Sequence, residues 1–230
     1  MSRTQFTTAA ATAARLATAV AAGIIATSIP AIANQDCAKD VAAAFEKQRT
    51  GVGYQVVTRQ PGPQGEIVNT FLFVAPDKMH NTVVVPGQPA PLETIAIGRW
   101  AWANQGGGFQ ELYPQFAQSV TSDVAATLGQ PAKVGQSFTC AGKVTRDGAE
   151  FVAYMTTASL ADPSKPAGPD NPMLARTVLV DAVTGLPAFN LVGEPASAGS
   201  SSTAPLMAST YSYPANPKIE APDAVPASRR

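Results

Sequence analysis

The chain has 230 residues, 16 basic and 16 acidic side chains, one histidine and two cysteines, with 45% hydrophobic and 14% charged residues. A balanced charge without a basic cluster gives no electrostatic footprint for nucleic acid. The single imidazole and the sparse charge leave little for acid–base catalysis, and neither cysteine has the ligand cluster that a zinc site needs.

Residues 1–33 read as an export segment. Arg3 and Arg15 lie before or within an Ala-rich apolar run from Leu16 to Ile29, and Ala31-Ile32-Ala33 is a small-x-small cleavage pattern. The competing reading is an uncleaved anchor, for which the run is short and rich in small residues. Asn34-Gln35-Asp36 ahead of Cys37 does not suit lipid attachment, which wants small apolar residues there. Cleavage leaves 197 residues with 14 basic and 16 acidic side chains, enough for one domain with a core. Cys37 and Cys140 have only each other as partners, so in an exported chain a disulfide is the default, with two buried thiols as the alternative.

Asp36 suits the cap of a first helix whose apolar face is Cys37, Val41, Ala44 and Phe45, ended by Gly51 and Gly53. Strands follow. Tyr54–Arg59 is β-rich, and Pro61–Gly65 reads as a turn. Ile67–Val74 puts Phe71 and Phe73 on one face, with Val68, Leu72 and Val74 on the other. Apolar residues on both faces require cover on both sides. Thr82–Val85 is a third strand. The stretch from Leu92 to Pro114 holds Trp100 and Trp102 two apart, hence on one face of a strand, with turns at Gly98 and Gly106–Gly108.

Pro114 suits a first helical turn. Phe116, Val120, Val124 and Leu128 then recur every four residues, which predicts an amphipathic helix over 115–128 stopped by Gly129 and Pro131. Ser137–Thr145 and Glu150–Thr157 form a hairpin about Asp147-Gly148. Residues 158–173 contain four prolines and read as a mobile loop or insertion. Leu174–Asp181 and Leu186–Val192 are strands about Val183-Thr184-Gly185. Residues 194–204 read as a Ser/Ala/Gly linker, Leu206–Tyr213 as a last strand, and 221–230 as a disordered tail. Many antiparallel strands with two short helices make an α+β chain that is mainly β, with a helix or two on one sheet face.

Three segments carry a resemblance. Phe73-Val74-Ala75-Pro76-Asp77-Lys78-Met79-His80 ends one strand and starts the next. Glu93-Thr94-Ile95-Ala96-Ile97-Gly98-Arg99-Trp100-Ala101-Trp102 is a hairpin. Val180-Asp181-Ala182-Val183-Thr184-Gly185-Leu186-Pro187 follows later. In this order they resemble the periplasmic lipoprotein-carrier superfamily, the LolA/LppX-like half-barrels. His80 stands where that family often has arginine, and Gly98-Arg99 replaces its usual Asp-Gly. The resemblance covers most of residues 37–220, with 34–220 as the domain. It implies a strongly bent antiparallel sheet, an open half-barrel, with helices across its concave face and a lipophilic group between. Phe71, Phe73, Met79, Trp100, Trp102, Phe116 and Val120 are the candidate ligand-lining residues, each of which is ordinary core in the plainer reading. The partner so implied is a lipophilic small molecule or a lipoprotein acyl chain, in a soluble periplasmic carrier. The alternative is a scaffold with a self-filled cavity that meets an envelope protein. No cofactor, metal or catalytic residue is expected: His80 is the only imidazole, and no serine sits in a strained elbow.

Overall fold

A computed structural model describes residues 35–132, 134, 137–168, 170–195 and 205–226. The expected export segment, most of the 194–204 linker and the last four residues lie outside them. Helix α1 spans Gln35–Arg49, so Asp36 lies within the helix rather than ahead of it. Six strands follow: β1 (Gly53–Gly62), β2 (Gly65–Val74), β3 (Lys78–Val84), β4 (Leu92–Ile97), β5 (Trp100–Asn104) and β6 (Phe109–Glu111). Helix α2 spans Pro114–Gly129. The second half is β7 (Phe138–Arg146), β8 (Ala149–Thr156), β9 (Ser159–Leu160), β10 (Met173–Asp181), β11 (Pro187–Gly193), β12 (Met207–Ser212) and β13 (Ala224–Val225).

These strands form one open, bent sheet in the order β13-β6-β5-β4-β3-β2-β1-β12-β11-β10-β8-β7, with β9 beside β10. The first half is a meander running outward from β1 to β6. The second runs inward from β7 to β12 and meets β1 at a seam that pairs Val57 with Thr210. The outer strands of the two meanders, β6 and β7, are joined by the segment containing α2, which crosses the open side. Every pairing of the long strands is antiparallel, so the chain is mainly β, a half-barrel with helices on its concave face.

Register identifies the two faces. Tyr54, Phe73, Met79, Ala96 and Ala101 are cross-strand partners in sequence from β1 to β5, and all five are buried on the concave side. Helix α2 lays Ala117, Val124 and Leu128 on this row, with Val120 partly buried beside them. Helix α1 buries Cys37, Val41 and Ala44 against Phe138, Tyr154, Val178 and Val180 of the other half. The convex side of that half has a small core of its own, where Phe151 meets Phe189 edge-on under Leu179.

Local chemistry accounts for the turns. Asp147 and Gly148 both have positive φ, as a two-residue hairpin turn requires. In Asp181–Gly185, one Asp181 carboxylate oxygen accepts from the Val183 and Thr184 amides and the Thr184 hydroxyl, which holds that carboxyl below its usual range. The Thr184 carbonyl in turn accepts from Lys47 Nζ at 2.6 Å, tying the end of α1 to this turn. Gly53 admits no side chain, because a Cβ there would lie 2.5 Å from the Phe73 carbonyl oxygen.

Several expectations need correction. Pro61 and Gly62 belong to β1, and the turn is only Pro63-Gln64; Pro61 lies past Arg59, the last β1 residue paired with β12, so its missing N–H breaks no ladder there. Strand β3 begins at Lys78 rather than Thr82. The proline-rich 158–173 segment is not featureless. Asn171 is buried, donates to the carbonyls of Asp162, Lys165 and Pro166, and accepts from the Asp162 amide, while β9 pairs with β10. The tail is not irregular from 221 onward either. It passes Gly53 with Pro217, buries Ile219, accepts from Lys78 Nζ at the Ile219 carbonyl, and adds β13 parallel to β6.

Cys37 and Cys140 are bonded, with Cα atoms 5.5 Å apart and a sequence separation of 103. The bond pins the start of α1 to β7. A loop of that length restricts the unfolded chain by on the order of 4–5 kcal/mol in the chain-entropy account. Cys37→Ser or Cys140→Ser therefore lowers the unfolding free energy from urea titration by an amount of that order, with a matching fall in melting temperature, and so does reduction of the intact protein with dithiothreitol.

Candidate functional site

The concave face is chemically graded. Its inner rows are aromatic and apolar, with Phe71 stacked on Phe73 at 5.5 Å and Tyr54 packed against Phe73 at 5.1 Å. Farther along the strands it turns polar. Thr58 and Ser209 share a hydroxyl–hydroxyl bond of 2.9 Å, Asn81 donates to Asn69, and Arg176 Nε donates to Asn190 Oδ1 at 2.8 Å. The Arg176 guanidinium also lies 5.8 Å from the ring centres of Phe45 and Phe138, and burial holds it below the usual guanidinium range.

Between the helices the face is not fully covered. Helix α2 packs on β4 and β5, where Ala96 and Ala101 let it approach closely; α1 packs mainly on β7, with lesser contact to β1, β10 and β11. A cleft of ≈ 390 Å³ remains between their C-terminal halves, over β1. Phe45, Gln48 and Arg49 of α1, Tyr54 of β1, and Thr127 and Gln130 at the end of α2 line it. Arg49 bridges the two helices. It donates from Nη1 to the Leu128 carbonyl at 2.9 Å, on the last turn of α2, and from Nε and Nη2 to the Glu46 carboxylate. That contact holds Glu46 below the usual carboxylate range. Gln48 is 5% exposed, and its Nε2 has no hydrogen-bond partner among the described residues.

The seven residues expected to line a cavity divide. Phe71, Phe73 and Met79 share the concave face with Tyr54, and Val120 reaches it from α2. Trp100 and Trp102 do share a face, but it is the convex one, since Ala101 between them is the buried concave residue. Phe116 is 57% exposed and lies outside the buried face of α2. His80 is also convex. Its Nε2 lies 3.1 Å from Glu93 Oε2, and Glu93 accepts from Asn104, whose own oxygen accepts from the Gly106 and Gly108 amides. The histidine thus belongs to a network that holds the glycine turn. Among the described residues no group of three His, Cys, Asp or Glu side chains is placed to hold a metal, and no helix is long and apolar enough to cross a membrane.

Phe45, Gln48, Arg49 and Tyr54 were not singled out from the sequence as site residues. A signal existed for two of them: Gln48 continues the Cys37, Val41, Ala44 spacing of α1, and Tyr54 alternates into the strand that faces Phe73.

The solved structure of LprF from Mycobacterium bovis superposes with a TM-score of 0.51 at 15% identity, covering 82% of this chain and 98% of that one. The chain has a LolA/LppX-like fold. Mycobacterium tuberculosis lipoprotein LppX aligns at TM-score 0.47 and 11% identity, over 79% of this chain and 97% of that one. A LolA superfamily protein from Nitrosomonas europaea aligns at TM-score 0.28 and 12% identity, over 80% and 93%. No family model and no curated protein matches the sequence.

The tyrosines of this half-barrel give it a pH dependence. Burial pushes Tyr54 up to about 12, with the neighbouring Tyr211 adding to the shift, and burial raises Tyr213 further. A folded-state value above the unfolded one, near 10, means the stabilising protonated form is fully present below pH 10. Stability therefore stays level up to about pH 10 on their account and falls as pH rises toward 12. Urea midpoints measured from pH 8 to 12 show this decline, and Tyr54→Phe makes it shallower.

Proposed function

We propose that the protein is a binding or carrier protein for a lipophilic ligand, held between the sheet and the helices, in the periplasm or an equivalent extracytoplasmic compartment. The observation that carries this reading is the unfilled cleft between α1 and α2, opening onto the aromatic floor at Tyr54. Its ≈ 390 Å³ lies in the range of small-ligand sites, and its lining sets the rings of Phe45 and Tyr54 beside the polar Gln48, Arg49, Thr127 and Gln130. The shared fold with LprF supports the reading at the level of architecture. The compartment follows from the export pattern of residues 1–33 and agrees with the Cys37–Cys140 bond. A lipoprotein acyl chain is one such ligand.

The cover is unequal. Helix α1 is fixed at both ends, by the disulfide and by Lys47 on Thr184. Helix α2 has no side-chain cap at Tyr113 and no acidic residue in its first turn, and the Arg49 contact at Leu128 holds its last turn. Helix α2 is thus the part that moves when a ligand enters, and α1 is the fixed wall.

One observation favours the second reading, a scaffold that meets an envelope protein. Over Ala96 and Ala101 the face of α2 is packed flush, and that part of the cavity is filled. The two readings differ in a measurable way. Trp100 and Trp102 lie across the sheet from the cleft, so their fluorescence is a poor reporter. Mass spectrometry of organic extracts of the purified protein, with hydrogen exchange, is the suitable test. The carrier reading expects co-purifying lipid, faster exchange in 114–131 than in 37–49, and slowing of 114–131 when lipid is added. Equal protection in both helices, unchanged by any lipid and with no lipid extracted, leaves the scaffold.

A further inference from the structure

Gln48 sits on the apolar face of α1, one turn beyond Ala44, where the pattern calls for a hydrophobic residue. It is 5% exposed, lines the cleft, and its Nε2 has no partner. An unpaired buried amide costs about 1–3 kcal/mol, and buried side-chain amides are ordinarily satisfied. Of the other polar groups at the cleft, Gln130 is exposed to water and the Tyr54 hydroxyl is a further neutral donor. Thr127 donates to the Asp123 carbonyl, and Arg49 is spent on Glu46 and Leu128. Arg49 is the one charged side chain among the described lining residues, and Glu46 matches its charge. Among the described residues the cleft therefore offers one buried, unpaired amide and no unmatched cation.

We propose that Gln48 is the specificity-determining polar contact of the cleft, and that it selects a neutral oxygen acceptor, the ester carbonyl of an acyl lipid, over a free carboxylate. The inference rests on the carrier reading and names the ligand class for that same site. The amide N–H donates to the ester carbonyl, and the acyl chain lies on Phe45 and Tyr54. A carboxylate gains the same hydrogen bond. It must also shed its hydration without a cation to replace it, and burying an unpaired charge is the costlier exchange.

The test uses the full-length exported protein and displacement of the neutral reporter N-phenyl-1-naphthylamine, which has no oxygen. The competitors are methyl laurate and laurate at pH 8, compared in the wild type and in Gln48→Met, which keeps the length and removes the amide. Wild type binds methyl laurate tighter than laurate. Gln48→Met melts no lower, still binds the reporter, and loses about three- to tenfold in methyl laurate affinity relative to its own reporter affinity, the value of one neutral hydrogen bond. Unchanged methyl laurate affinity, relative to the reporter, in Gln48→Met overturns the proposal, since the amide then makes no bond to the ester. Tighter binding of laurate than of its ester in the wild type overturns the neutral selectivity. In both cases reporter binding keeps the carrier reading standing. A wild type that binds neither reporter nor competitor removes both.

Discussion

The burial of one apolar row decides most of this structure. Tyr54, Phe73, Met79, Ala96 and Ala101 face the hollow of a bent sheet, where no second sheet covers them. A sheet face of that kind must be packed against something. Among the described residues the covering elements are the two helices, and the chain uses one of them to pass from β6 to β7. Helix α2 thus joins the two edges and covers half of the hollow. The small residues of β4 and β5 draw it to that side, because alanines let a helix axis come close. The gap is left over β1, where the larger Tyr54 lies and α1 and α2 approach each other through Arg49.

The sequence conveyed parity well and choice of side poorly. Alternation puts Phe71 with Phe73 and Trp100 with Trp102, and both pairs do share faces. It does not say which face is inward. Ring size pointed to the tryptophans as inward, whereas the close approach of α2 selects Ala101, at no exposure at all. The same holds for α2. A spacing of four in a helix of 3.6 residues per turn drifts by about 40° at each step. Over three steps Phe116 rotates out of the line of Leu128, and Ala117, seven residues before Val124, stays in it. The element was legible and its phase was not.

Tertiary partners account for the remainder. Nothing local in Tyr54–Arg59 announces that β1 pairs with β12, nor that the chain beyond Tyr213 returns to border β6. The prolines of 158–173 announced a loop. The buried Asn171 that organises it is visible only through the carbonyls it collects. In the site, Gln48 stood in plain view in the α1 pattern as a polar residue at an apolar position. Its meaning depends on the absence of a partner, which a sequence does not display.

The seam between β1 and β12 has a consequence for how the protein is made. Thr58 and Ser209, which bond across it, are 151 residues apart. Strand β1 is among the first parts of the domain to leave a ribosome or a translocation pore, and its partner is almost the last. Until β12 arrives, the two meanders are separate sheets, each with a bare inner edge, and such edges recruit other chains. Contacts of this range also slow folding, because the intervening loop must close before they form. The half-barrel is therefore closed by a pairing that the chain can make only once nearly all of the domain has been synthesised.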